Sequence, residues 1–208
     1  LIAASMDDVG SGAILYGIKI AQITNTELVI FSVHPEGATQ SDHSFETEFN
    51  TFTSNICGAN NFISYKTEIG KGYLPEAATE YAIQIDAQSV IFGLRPPAGF
   101  NPFYGVKFIK ATKKLQCPFL VVQDNNPSQQ LFENLYIPVS HKKEGKEKLI
   151  WAETFCLDKP IKIKLVPAKA EEPLSKAIIQ NHLNFACRQL EAANIPFEII
   201  QGSKNSYK

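Results

Sequence analysis

Short apolar runs alternate with longer stretches of helical spacing from the first residue to about Gln123, and the alternation then begins again. Leu1 to Ala4 predicts a short strand. Asp7-Asp8-Val9-Gly10-Ser11 supplies turn and cap residues. Ala13, Ile14, Gly17, Ile18, Ile20 and Ala21 recur at helical spacing, so a helix is expected to about Ile23, where Thr24-Asn25-Thr26 stops it. Leu28 to Val33 reads as a buried strand and His34 to Ser41 as a loop. Phe45 to Ile56 is expected to be helical, Phe62 to Ile69 a third strand, and Leu74 to Ile85 a helix with Pro75 and Glu76 in its first turn. Ser89 to Gly93 predicts a fourth strand, Gly105 to Lys114 a helix, and Pro118 to Gln123 a fifth strand.

The strands are apolar on both faces and alternate with helices. That pattern predicts an α/β fold: an open parallel five-stranded sheet with helices on both faces and right-handed crossovers. Asp124 to Gln130 (DNNPSQQ) is polar and turn-rich, which sets a boundary between a first domain at 1–125 and a second at 131–208. The second restates the first. Tyr136 to Ser140 (YIPVS) echoes Ile2 to Ser5 (IAAS), and Ile161 to Val166 echoes LVIFSV. Lys146 to Cys156 is expected to be helical with Leu149, Ile150, Ala152 and Phe155 facing inward. Leu174 to Ala193 reads as a long helix and Phe197 to Gln201 as a strand. The counterpart of residues 72–123 is missing, so the second copy is partial.

Composition narrows the function. The chain has 208 residues, 44% hydrophobic and 20% charged, with a net charge of −1. Its pI near 6.5 gives no sequence-independent pull toward nucleic acid or anionic lipid. The apolar runs fall short of the roughly 18 residues of a membrane-spanning helix, and LIAAS is too short for a signal peptide. Cys57, Cys117, Cys156 and Cys187 lie far apart, outside zinc-ligand spacing, and read as reduced thiols of a cytoplasmic protein. Cys117, before Pro118, reads as a small buried hydrophobe.

Four segments resemble the universal stress proteins, in a tandem form with an incomplete second domain. They are IAASMDDVGSGAILYGIKIA, ELVIFSVHP, GYLPEAATEYAIQIDAQSVIFG and LQCPFLVVQD, in that order. The resemblance implies a sheet of the adenine-nucleotide-binding superfamily, a cytoplasmic role in stress tolerance, and self-association as a homodimer or a pseudo-dimer of the two domains. It implies partners other than nucleic acid or membrane.

The same resemblance implies a candidate nucleotide site of Ser5, Val33, Gly93, Arg95, Gly105 and Val106. ATP-binding members carry Gly, two residues, Gly, nine residues, Gly, then Ser or Thr. The glycines let backbone amides approach phosphates, and the helix N-terminus adds positive charge. Here Gly93 takes the first position. Pro96, without an N–H, takes the second, and Val106 the third, with Gly105 one residue early and no hydroxyl following. Ser5 stands where binding members have the Asp that ends the first strand, and Ser140 does so in the repeat. Each lost bond to a charged ligand costs about 1.5–3 kcal/mol, and two or three together weaken binding about 10³-fold. The expectation is a non-enzymatic protein with a degenerate nucleotide site, acting by protein association and with no certain cofactor. ATP binding through a variant loop is the alternative.

Other residues carry two readings each. Arg95, Lys107 and Lys110 either hold an anion or are solvated charges. Gly99 either replaces a missing glycine or makes a turn. Asp7 and Asp8 either ligate Mg²⁺ or cap a helix. His34 either touches a ligand at the sheet's C-terminal edge or is a strand-end polar group. Trp151 reads as partly buried core. Lys142, Lys143, Lys146 and Lys148 alternate with acids and form no nucleic-acid patch. An adenylating enzyme of the superfamily needs a Ser-Gly-Gly-x-x-Ser loop after the first strand, which this sequence lacks.

Overall fold

The computed structural model describes residues 1–34, 37, 41–95, 102–123, 134–142, 147–156 and 161–200, without the side chains of 102–104, 147, 154 and 155. Pro96, Gly99, the DNNPSQQ linker, Lys143, Lys146, Gln201 and the Phe155 side chain lie outside that set. Two compact units are present, Leu1–Gln129 and Gln130–Lys208.

In the first unit the elements are β1 (Ile2–Ala3), α1 (Asp8–Thr24), β2 (Leu28–His34), α2 (Asp42–Ala59), β3 (Tyr65–Lys71), α3 (Leu74–Gln84), β4 (Val90–Gly93), α4 (Pro102–Thr112) and β5 (Phe119–Val122). The strands form one sheet in the order β3-β2-β1-β4-β5, all parallel. Alternation along each strand divides the core by face. Ile2, Ile30 and Ile91 pack with Ala13, Ile14 and Ile18 of α1 and Phe45 and Phe49 of α2. Ala3, Phe31 and Phe92 pack on the opposite face with Leu74 and Ala78 of α3 and Phe108 of α4. The sheet is therefore covered on both sides, as the pattern predicts.

Buried threonines in the helices satisfy themselves. Thr53, Thr79 and Thr112 each donate to the carbonyl four residues earlier, at 3.0, 2.7 and 3.1 Å. Such hydroxyls enter a core without leaving an orphaned donor.

Some boundaries differ from the sequence expectation. α2 extends past Phe45–Ile56 at both ends; at its start Ser41 caps it by accepting from the Ser44 N–H at 3.2 Å. β3 starts at Tyr65 rather than Phe62. Ile63 is 91% exposed and Phe62 is buried from the turn that follows α2. α4 begins before Gly105, at Pro102.

The second unit contains β6 (Asn134–Val139), α5 (Glu147–Cys156), β7 (Lys162–Pro167), α6 (Pro173–Ala192) and β8 (Phe197–Ile199), with parallel strands in the order β6-β7-β8. Leu149 and Ala152 of α5 and Leu183, Ala186 and Leu190 of α6 share one core with Ile137, Val139, Ile163 and Leu165. Both helices thus lie on one face. On the other, Lys164 Nζ stands 5.2 Å from the Tyr136 ring centroid. Ile150 is not an inward residue as its apolar character suggests. It is 65% exposed, while its neighbour Leu149 takes the buried direction.

Candidate functional site

β1 and β4 lie side by side at the centre of the first sheet, although their chain connections run to opposite sides. This is the topological switch point, and the crevice at the carboxyl ends of such strands is where open α/β sheets take ligands. Ser5 follows β1 and is exposed; Gly93 ends β4; Arg95 follows it and is exposed. Continuing the β1–β2 register by two residues sets Val33 beside Ser5. These four residues therefore converge on one edge. Gly105 and Val106 sit in the early turns of α4, both exposed.

The start of α1 packs directly on the ends of β1 and β4. Gly10 packs so closely on the end of β1 that a Cβ there would lie 1.9 Å from the Ser5 carbonyl oxygen. Gly93 meets the same helix from β4: a Cβ would stand 3.0 Å from Ala13 Cβ, 3.1 Å from the Val9 carbonyl oxygen and 3.2 Å from Gly10 Cα. The bare Cα of Gly93 thus faces α1, so close helix–strand packing accounts for this glycine. Around Gly105 there is open space, and no packing demands a glycine there.

Asp7 is the N-cap of α1. Its Oδ1 accepts from the Gly10 N–H at 2.8 Å, its own N–H donates to the Ser5 carbonyl at 2.9 Å, and its carbonyl accepts from Ser11 Oγ at 3.0 Å. Asp8, one residue on, pairs with Arg95 at 3.6 Å. Capping and ion pairing therefore account for both acids, and among the described residues no group of His, Cys, Asp and Glu forms a metal site. Lys107 sits 3.9 Å above the centre of the Tyr73 ring, a cation–π contact within α3–α4 packing.

His34 ends β2 on the opposite face from Val33. Its ring packs edge-on against Phe45 at 4.8 Å, and Nδ1 lies 3.7 Å from Asp42 Oδ1. Lys71 holds the other Asp42 oxygen at 3.4 Å. The imidazole is 13% exposed, and its Nε2 is buried without a hydrogen-bond partner among the described residues. Its contacts run to α2. In the second unit, His182 of α6 contacts the Ser140 carbonyl through Nδ1 at 2.8 Å, so the residue echoing Ser5 is bonded to a helix of its own unit.

Sequence reasoning missed Gly10 and the Asp8–Arg95 pair. A glycine in the first turn of an apolar helix was the available signal for Gly10, since glycine weakens a helix interior. No local signal existed for the ion pair.

No family model and no curated protein matches the sequence. Solved structures do. One, a protein of Pseudomonas aeruginosa UCBPP-PA14 assigned to the universal stress proteins, superposes with a TM-score of 0.58 over 98% of this chain and 72% of its own, at 15% identity. The chain has the universal stress protein fold. A universal stress protein from Archaeoglobus fulgidus gives a TM-score of 0.45 at 12% identity, covering 59% of this chain and 90% of its own. A family member from Burkholderia pseudomallei gives 0.39 at 12%, covering 58% and 92%. These two scores add no weight to the assignment. Identity this low carries the universal stress protein fold alone. Among the described residues, no helix is long and apolar enough to cross a membrane.

Proposed function

We propose that this chain is a cytoplasmic, non-enzymatic universal stress protein of tandem form, with a partial second domain, a degenerate nucleotide site and a role exerted through protein association. The carrying observation is that the groups nearest the switch point are already engaged by protein. Gly93 lies against α1, the α1 N-terminus is capped by Asp7, and Arg95 is paired with Asp8. A nucleotide arriving there meets the carboxylates of Asp7 and Asp8. Isothermal titration of the full chain with ATP and Mg²⁺ tests this. Absence of heat at millimolar ligand is the expected result, and micromolar affinity overturns it.

Gly105 favours the second reading, ATP binding through a variant loop. Its Cα has open space beside it and it is exposed near the start of α4. The same titration decides between the two.

Self-association is assigned to the edge of β5. Among the described residues β5 pairs only with β4, and Phe119 is 45% exposed. An open apolar edge is a template for strand pairing. Sedimentation equilibrium is expected to show a dimer, and a monomer at high concentration overturns this assignment.

A further inference from the structure

We propose that Asp8 is a built-in competitor for an anion subsite on Arg95, so that the Asp8–Arg95 pair keeps phosphate-bearing ligands out of the crevice. This rests on the degenerate-site reading and names how the site is kept closed. Three observations converge on it. First, the pair joins the two sides of the switch point: Asp8 opens α1 after β1, and Arg95 follows β4. Second, close backbone packing sets the start of α1 beside the end of β4: Gly10 and Gly93 let the first turn of α1 lie directly on the ends of β1 and β4, with Asp8 in that turn. Third, the pair is open to water, with the side chains 59% and 70% exposed for Arg95 and Asp8, so Arg95 is accessible to a ligand once the carboxylate is gone.

The chemistry is simple substitution. A guanidinium stays protonated at all working pH values, and its planar fork fits a carboxylate and a phosphate alike. The Asp8 carboxylate, 3.6 Å from one Arg95 Nη, competes for that guanidinium with any incoming anion. It also cancels part of the positive field that the α1 N-terminus would present. Neutralising Asp8 leaves the Asp7 cap, since the Gly10 amide is held by Asp7 Oδ1. The helix start therefore persists while its charge changes.

The experiment titrates the full chain with inorganic tripolyphosphate at low salt, using wild type, Asp8→Asn, Arg95→Gln and the double variant, each checked by thermal melting. Asp8→Asn is expected to bind about tenfold more tightly than wild type, the effect of removing one like charge beside the subsite. The double variant is expected to lose that gain. An Asp8→Asn affinity within threefold of wild type overturns the proposal. So does a gain that survives Arg95→Gln, which reports net charge and no subsite. Micromolar ATP binding by wild type fails the degenerate-site reading, whereas the ratio between Asp8→Asn and wild type judges the competitor separately.

Discussion

Gly10 and Gly105 have opposite surroundings, and substitution separates them. Gly10→Ala drives a methyl into the Ser5 carbonyl and is expected to cost about 1–3 kcal/mol in urea unfolding. Gly105→Ala meets open space inside a helix and is expected to add roughly 0.5–1 kcal/mol. Cys57 gives a second test. Burial in the α1–α2 core pushes its thiol from 9.0 up to about 11. Below pH 9 both folded and unfolded chains hold that proton and the contribution is constant. Between about 9 and 11 the unfolded chain releases it first, so stability falls as pH rises, by on the order of 2 kcal/mol. Cys57→Ala is expected to flatten the alkaline limb of a Tm-against-pH curve. At this scale the sequence was legible where one residue has a local job: Asp7 reads as a cap and is one. At Gly93 one signal carries two readings, because a glycine needed for helix–strand approach and one needed for phosphate approach look the same in a single chain.

Elements were legible where apolar spacing and capping agree. β2 and β4 carry continuous β-branched or aromatic runs and lie where expected, buried between helix layers. α5 shows the limit. Its apolar residues point around much of the helix, so spacing alone placed Leu149 and Ile150 inside together. Leu149→Ala is expected to cost about 2–4 kcal/mol, and Ile150→Ala under about 0.5, in equilibrium unfolding. The third strand moved for a related reason. Phe62 and Ile63 satisfy a strand propensity, yet the carbonyl of Cys57 accepts from the Phe62 N–H at 2.9 Å and keeps that residue in the turn closing α2.

For the whole molecule, each unit has hydrophobic clusters made of its own residues. Ile30→Ala is expected to lower amide protection in the first sheet and Leu165→Ala in the second, as read by hydrogen exchange of each segment. The sheet class was legible because parallel strands bury both faces. The switch-point contents were not, because they depend on which distant backbones touch. One feature of the sheet reaches beyond the finished fold. β1 pairs Ile2 with Ile30 on one side and Ile91 on the other. At about 5–20 residues per second, synthesis of the stretch from Ile30 to Ile91 takes roughly 3–12 s. Throughout that interval the central strand lacks one of its two neighbours, so the sheet cannot close until the fourth strand has been made.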